Sequence, residues 1–133
     1  MEKATKVIVI GINHAGTSAI RTMLAQNPAL SITAYDRNTN ISFLGCGIAL
    51  AVGGTVNRLD DLFYCDPATL GKMGAKVFME HDVVSVDPAG KTVRVRDLKS
   101  GREFVDTYDK LVYAAGSWPL PIPGLSERSS SLK

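Results

Sequence analysis

The stretch KVIVIGINHAG, residues 6–16, predicts a strand, a glycine turn and the start of a helix. The β-branched run at residues 7–10 is typical of a strand buried on both faces. Gly11 and Gly16 match the first and last glycines of G-x-G-x-x-G, the phosphate-binding turn of dinucleotide folds. Asn13 replaces the middle glycine, and His14 follows it. Three interpretations are open at this point: a nucleotide-binding motif that has lost its function, a chance pair of glycines, or a variant of the motif in which the histidine is functional.

The residues that follow complete a strand–helix–strand unit. One predicted helical face carries small and apolar side chains, at Ala15, Ala19, Ile20, Met23 and Leu24. Residues 31–35 predict a second strand that ends at Asp36, 20 positions after Gly16, where an acidic residue accepts from a ribose 2′-hydroxyl. Glycines commonly follow strands, and an acidic residue can simply end one. The complete unit nevertheless favours dinucleotide binding, and it leaves NAD and FAD both open.

The rest of the chain predicts an α/β fold, a Rossmann-like parallel sheet with an inserted antiparallel meander. Short helices are predicted over residues 48–52 and from Pro67, after the cap Asp66, to a stop at Gly74, and a strand is predicted over residues 75–79. Turns at residues 87–90 and 99–101 separate three alternating stretches, with Val84 and Val86, Val93 and Val95, and Phe104 and Tyr108. A final strand over residues 110–114 runs into Ala115 and Gly116.

Composition narrows the classes of function. The 133 residues are 45% hydrophobic and 21% charged, as in an ordinary globular domain. The net charge is +2 with scattered basic residues, which gives nucleic-acid binding little support. No apolar run reaches the roughly 18 residues of a membrane span and no secretion signal is evident, so we expect a cytoplasmic protein. Cys46 and Cys65 lie 19 positions apart, a spacing that predicts neither a redox pair nor a metal site.

A second motif makes a family recognisable. Residues 42–47 read SFLGCG and residues 11–16 read GINHAG. Together they resemble the NADH oxidase and NADH peroxidase branch of the FAD-dependent pyridine nucleotide–disulfide oxidoreductases. The likeness covers residues 5–125 and includes residues 62–64, 108–111 and 116–119. The details at residues 47–50 and 52–54 favour water-forming NADH oxidases over peroxidases. Coenzyme A–disulfide reductases are related, but their usual proline–tyrosine pair does not match Ala49 and Leu50.

The resemblance implies a redox mechanism. Hydride passes from NADH to FAD, dioxygen is reduced, and Cys46 attacks peroxide to become a sulfenic acid, the reversible step of thiol oxidation. The position of Cys46 directly before a predicted helix suits that role. His14 is implied as the acid/base partner of Cys46. The implied cofactor contacts are Gly11, Asn13, His14, Ala15, Gly16, Asp36, Arg37, Ser42, Cys46, Val84, Ala115, Gly116 and Ser117.

Alternatives remain open for the individual side chains. Cys46 is otherwise an inert buried thiol, and His14 a loop histidine satisfied by the backbone. Ser42 either bonds near the cysteine or only caps its turn. Cys65 lies outside any motif and is interpreted as a small structural hydrophobe. Gly45 stands where the family often has serine, which removes a hydrogen bond that tunes the cysteine, and Ala51 stands where an aromatic is common.

The domain organisation follows from the same comparison. Residues 1–125 are expected to form the FAD-binding domain, and residues 126–133 a disordered or non-native tail. Family members are much longer, with an NADH domain and a dimerisation domain, so this chain is expected to be a fragment without turnover of its own. The family enzyme uses NADH with dioxygen or peroxide and forms a homo-oligomer. The alternative is a nucleotide-binding module without redox turnover.

Overall fold

The computed structural model describes residues 4–117, which contain seven strands and three α-helices. The strands are β1 (Lys6–Ile10), β2 (Ser31–Asp36), β3 (Lys76–Met79), β4 (His81–Asp87), β5 (Thr92–Asp97), β6 (Glu103–Thr107) and β7 (Lys110–Tyr113). The helices are α1 (His14–Gln26), α2 (Ile48–Val52) and α3 (Pro67–Lys72), and short 3-10 helices cover Gly45–Gly47 and Leu59–Leu62. The predicted tail 126–133 and the proline-rich segment 118–124 lie outside the described residues.

A parallel sheet in the order β3-β2-β1-β7 forms the centre of the fold. Strand β1 pairs with β2 on one side and β7 on the other, so that Val7 lies opposite both Ile32 and Lys110. Residues 7–10 are all buried, as the continuous β-branched run predicts for a central parallel strand. The expected parallel sheet is thus confirmed.

Helices α1 and α3 cover one face of this sheet. An apolar core lies between these helices and the sheet, and it consists of Val7, Val9, Ile12, Ile20, Leu24, Ile32, Ala34, Ile41, Leu70 and Ala75. Helix α3 begins as predicted, with the Asp66 carboxylate accepting from the Thr69 amide at 2.6 Å. It ends at Lys72, and Gly74, the residue predicted to stop it, follows the cap with a left-handed backbone (φ 108°). No helix among the described residues is long and apolar enough to cross a membrane.

The predicted buried face of α1 was partly wrong. Ala15 is exposed, whereas Gly16 and Thr17 in the same turn are buried with Ile20 and Leu24. The Thr17 hydroxyl donates to the Ile12 carbonyl at 3.0 Å, which satisfies it inside the core. Alanine is small enough for either environment, so its presence does not fix the direction of the helix face.

The predicted meander forms an antiparallel sheet, β4-β5-β6, on the other face of the parallel sheet. Its contact with that sheet is a second core, made of Ile8, Ile10, Tyr35, Val93, Val95 and Tyr108. Successive residues of β1 point to opposite faces, so the same strand supplies Val7 and Val9 to the first core. The molecule therefore has three layers: helices, parallel sheet and meander.

A charged cluster joins the meander to the parallel sheet beside the second core. Asp106 of β6 forms an ion pair with Lys6 of β1 and accepts a hydrogen bond from the Tyr35 hydroxyl of β2 at 2.9 Å. Burial alone would raise the pKa of Asp106, but the hydrogen bonds from Lys6 and Tyr35 outweigh it and lower the pKa. Burial and the neighbouring Asp106 raise the pKa of Tyr35. Tyr35 therefore remains a neutral donor to a charged carboxylate.

We expect Asp106→Asn to lower the free energy of unfolding by about 1–2 kcal/mol at neutral pH, because it removes a charged acceptor shared by two strands. The folded-state pKa of Asp106 is lowered, so its contribution is present above the unfolded value of about 3.9 and is lost as pH falls below it. Urea unfolding at neutral and acidic pH measures the free energy of unfolding of both proteins. The difference between Asp106→Asn and wild type should become smaller in acid.

Asp60→Asn is the matched control. Asp60 pairs with Arg58, but 77% of its side chain is exposed, and such pairs contribute little. Equal effects of the two substitutions, or a gap for Asp106→Asn that does not change with pH, would show that the cluster does not hold the layers together.

Candidate functional site

The loop after β1 depends on two glycines in tight backbone contact. Gly11 has a left-handed backbone (φ 85°), and a Cβ there would lie 2.4 Å from the Ala114 carbonyl oxygen at the end of β7. A Cβ on Gly16 would lie 1.8 Å from the Gly11 carbonyl oxygen. Both distances are far inside van der Waals contact, so only glycine fits at either position. Helix α1 therefore starts directly against the ends of two parallel strands.

Ile12, between the glycines, is held at both backbone groups. Its amide donates to the Asp36 carboxylate at 2.7 Å. Its carbonyl accepts from the Thr17 hydroxyl at 3.0 Å and from the Ser42 amide at 3.2 Å. These partners come from β2, α1 and the loop that leads to Cys46, so the chain itself fixes the shape of the glycine loop.

Asp36 lies at the carboxyl end of β2, as the sequence predicts, and is almost fully buried. Besides the bond to Ile12, its other carboxylate oxygen accepts from the Asn38 amide at 2.8 Å. The sequence reasoning assigned Asp36 only to a ribose. Its hydrogen bonds also make it the anchor of the glycine loop.

The first turn of α1 is open to an anion. Among the described residues, no side chain hydrogen-bonds to the N-terminus of α1, and its cap residue Asn13 makes no such bond. No acidic side chain lies in the first turn either. The unpaired amides and the positive end of the helix dipole are therefore free to meet a phosphate.

A cleft of about 830 Å³ opens at the carboxyl ends of β1, β2 and β7, beside β4; we call it the carboxyl-end cleft. Ligands of open α/β sheets bind at this end of the strands, and the volume is in the usual range for such sites. Eight of the thirteen predicted cofactor positions line it: Gly11, Asn13, Asp36, Arg37, Val84, Ala115, Gly116 and Ser117. The other five do not line it: His14, Ala15, Gly16, Ser42 and Cys46.

Val84 reaches the cleft through an irregularity of its strand. The pairing of β4 with β5 shifts register between Val83 and Ser85, which leaves Val84 as a bulge with 37% of its surface exposed. Bulges of this kind redirect a residue out of the regular ladder. Nothing in the alternating pattern of residues 81–87 indicates this shift; only the family resemblance pointed to Val84.

His81 also lines the carboxyl-end cleft, and the sequence reasoning missed it. Its Nδ1 lies 2.7 Å from the Met79 carbonyl oxygen. A carbonyl only accepts, so Nδ1 carries a proton and donates it. A single histidine at the start of a strand gives no sequence signal for this place in the cleft.

Cys46 lies in the 3-10 helix Gly45–Gly47, directly before α2, and its side chain is exposed. A Cβ on Gly47 would lie 2.5 Å from a methyl group of Leu62, so this glycine allows the turn to pack on that side chain. Because the Cys46 side chain is exposed, it is not buried as the alternative interpretation of an inert buried thiol required. We call residues 42–47 the cysteine loop.

Residues 62–65, which we call the tie segment, hold the cysteine loop in place. The Leu44 amide donates to the Leu62 carbonyl at 2.8 Å. At Cys65 the Ser42 hydroxyl accepts from the amide at 2.8 Å and donates to the carbonyl. Ser42 is fully buried in a left-handed backbone conformation (φ 58°). Its hydroxyl is thus directed at the tie segment, which neither of the two sequence interpretations proposed.

The tie segment also reaches His14. The Tyr64 hydroxyl lies 3.0 Å from Nδ1 of His14, and the two rings stack with centroids 5.4 Å apart and planes 9° apart. His14 is therefore satisfied by a side chain rather than by backbone groups. Tyr64 was not predicted as a site residue. The only indication in the sequence was that residues 62–64 resemble the corresponding segment of the family.

Cys65 is partly buried and packs against the core beneath α1. Burial raises the pKa of its thiol, and the nearby Arg21 only partly offsets this. A raised pKa keeps the thiol protonated and unreactive. The interpretation of Cys65 as a small structural hydrophobe is therefore supported, and the two cysteines differ in environment.

Comparison with known proteins adds an independent finding. The sequence profile of the family described as pyridine nucleotide-disulphide oxidoreductase matches residues 5–132. An NADH oxidase from Mycoplasma genitalium is 62% identical over 115 residues, which are 86% of this chain and 24% of the relative. An NADH oxidase from Enterococcus faecalis is 51% identical over 122 residues, 90% of this chain and 27% of the relative.

A solved structure agrees with the sequence matches. The water-forming NADH oxidase from Lactobacillus brevis, bound to NADH, superposes with a TM-score of 0.86 at 49% identity. The match covers 90% of this chain and 26% of that one. The chain thus spans about a quarter of the length of the relatives it matches.

We expect Gly16→Ala to cost more than about 3 kcal/mol of the free energy of unfolding or to prevent folding, because the added methyl group overlaps the Gly11 carbonyl. Gly71→Ala is the matched control: it is also a helical glycine, but a Cβ there meets nothing within 4 Å. The control should be neutral or stabilising by up to about 1 kcal/mol. Urea unfolding followed by circular dichroism compares them, and equal stabilities would refute the close contact.

Proposed function

The chain belongs to the pyridine nucleotide-disulphide oxidoreductase family, and on that premise we propose that it is the FAD-binding part of an NADH oxidase that reduces dioxygen to water. The observation that carries the proposal is the carboxyl-end cleft, which gathers eight predicted cofactor positions at the end of the parallel sheet where nucleotides bind. The exposed Cys46 supplies the thiol that such chemistry requires.

The residues present fit FAD. The glycine loop and the open first turn of α1 would hold the pyrophosphate, since glycine at positions 11 and 16 lets the backbone approach closely. Asp36 would accept from a ribose hydroxyl at Oδ2, which accepts only from the Ile12 amide and keeps a second lone pair, whereas Oδ1 already accepts two hydrogen bonds from Asn38. The cleft wall at Val84 and Ala115 would meet the adenosine half. When bound, FAD supplies electron transfer between NADH and oxygen or sulfur.

Cys46 is proposed as the peroxide-reducing group. Its thiolate sulfur attacks one oxygen of hydrogen peroxide, so that an S–O bond forms while the O–O bond breaks. The sulfur loses two electrons and becomes a sulfenic acid, and the departing hydroxide takes up a proton to give water. A second cysteine is not needed, because two electrons and a proton convert the sulfenic acid back to the thiolate and water, and FAD would supply such reducing chemistry if bound.

His14 is proposed to assist at the departing oxygen. Imidazole is the side chain best suited to donate or accept a proton near neutral pH. His14 begins α1, and its side chain contacts Tyr64 of the tie segment, which holds the cysteine loop. We propose that it hydrogen-bonds the hydroxide as it leaves.

The remaining parts of the reaction would come from outside this chain. The relatives are about four times as long as the matched region, and we propose that the NADH site, the segment that closes over the flavin and the surfaces for homo-oligomer formation belong to that additional length. This chain alone should therefore bind cofactor without NADH turnover. The cytoplasmic location stays a prediction.

We expect the chain to retain FAD after mixing and desalting, with the visible flavin absorbance bands in the protein fraction. Ala115→Trp should weaken this binding at least about tenfold, since a large side chain at an exposed cleft position would occupy the space of the ligand. Ala68→Trp, an exposed alanine on α3, is the control that should bind normally.

ADP titration of the same samples separates the alternatives. A colourless chain that binds ADP would favour a nucleotide-binding module over a flavin site. Failure to bind either ligand would contradict the proposed cofactor role of the cleft.

We expect dilute hydrogen peroxide to convert Cys46, and not Cys65, to a sulfenic acid that dimedone traps. Cys46 is exposed, whereas burial raises the pKa of the Cys65 thiol. Mass spectrometry should find the adduct in wild type and in Cys65→Ser, and lose it in Cys46→Ser. Equal labelling of both thiols, or none on Cys46, would count against the mechanism.

A further inference from the structure

We propose that Tyr64 is a positioning residue that holds His14 with its Nε2 protonated and its Nδ1 accepting from the Tyr64 hydroxyl. The contact between the two side chains is the basis: a 3.0 Å approach of the hydroxyl to Nδ1 and near-parallel rings. The consequence for proton delivery rests on the proposed function of His14. The orientation of the His14 ring is inferred from the contact with Tyr64 alone and does not depend on that function.

The two contacts restrain different degrees of freedom. The hydrogen bond selects which edge of the imidazole faces Tyr64, and the stacking fixes the plane of the ring. Both side chains are exposed, so surrounding packing does not hold the imidazole. Without Tyr64, the exposed His14 ring would be free to rotate and to exchange its two nitrogens.

The direction of the hydrogen bond follows from the partners. A phenol is a good donor, and its oxygen is a weak acceptor because its lone pair is delocalised into the ring. An unprotonated imidazole nitrogen is a strong acceptor. The Tyr64 hydroxyl therefore donates to Nδ1 of neutral His14, and the other ring nitrogen must then carry the proton. The free edge of His14 becomes an N–H donor, which is what a departing hydroxide needs.

The backbone around Tyr64 links this orientation to Cys46. On one side of Tyr64, Leu62 accepts from the Leu44 amide at 2.8 Å. On the other side, Cys65 exchanges two hydrogen bonds with Ser42. Tyr64 thus lies between two attachments of the cysteine loop, and its own side chain reaches α1. One short segment positions the donor and carries the loop of the thiol.

The test measures the tautomer of His14 directly, since hydrogen positions need a spectroscopic signature. The chain has only two histidines, so nitrogen-15 labelling gives a simple long-range nitrogen–proton spectrum. In wild type at a pH where His14 is neutral, we expect Nε2 to be protonated and Nδ1 to accept. His81 is an internal reference, because its Nδ1 donates to the Met79 carbonyl and should appear as the opposite tautomer.

Tyr64→Phe removes the hydroxyl and keeps the ring. We expect it to shift the His14 nitrogens towards a mixture of tautomers without affecting His81. Tyr108→Phe makes the same chemical change in the meander core and should leave both histidines unchanged. Tyr64→Leu, which also removes the stacking, should broaden the His14 signals further. A wild-type His14 protonated on Nδ1, or nitrogen shifts identical in wild type and Tyr64→Phe, would overturn the proposal.

Peroxide kinetics on the same proteins give the second readout. We expect dimedone-trapped oxidation of Cys46 to be slower in Tyr64→Phe by about threefold to tenfold, the range of one hydrogen bond, and unchanged in Tyr108→Phe. Equal rates in wild type and Tyr64→Phe would refute a role in proton delivery. A wild-type Cys46 that is inert to peroxide would instead contradict the proposed function, and the tautomer spectrum would still decide what Tyr64 does.

Discussion

Three backbone segments meet at Gly11 at distances that no side chain allows, and the rest of the site depends on this contact. The end of β7 approaches through the Ala114 carbonyl, and the first turn of α1 approaches through Gly16. The contact brings the helix N-terminus against the end of β1 and opens the carboxyl-end cleft beside it. A single methyl group at either glycine would separate these elements and displace the unpaired amides at the start of α1.

The glycine loop is also shaped without help from a ligand. Asp36 holds the Ile12 amide, and Ser42 and Thr17 hold its carbonyl. Because these groups are already paired within the chain, the proposed nucleotide would need little further ordering of the loop, and less free energy would be lost to immobilising it. Through Ser42 and Cys65 the same hydrogen bonds continue to the tie segment. The glycine loop and the cysteine loop thus share one set of hydrogen bonds.

Much of the fold was predictable because it follows from local periodicity: the β-branched run of β1, the paired glycines and the alternating meander all lie within short windows. The predicted cofactor positions at the strand ends rested on the same patterns and on the family motifs. The contacts of Ser42 with Cys65 and of His14 with Tyr64 join residues 23 and 50 positions apart. No periodic pattern in the sequence indicates contacts over such separations. Ala15 was misplaced because alanine suits both a buried and an exposed helix face.

The place of β1 between β2 and β7 has a consequence for the order of folding on the ribosome. Val7 pairs with Ile32 and with Lys110, which are 25 and 103 residues further along. At about 5–20 residues per second, the second partner is synthesised roughly 5–20 s after β1. The meander consists of local hairpins and can form within that interval. Until β7 pairs with it, one edge of β1 stays open to other chains. The nascent chain is therefore most exposed to aggregation in the interval before β7 closes the sheet.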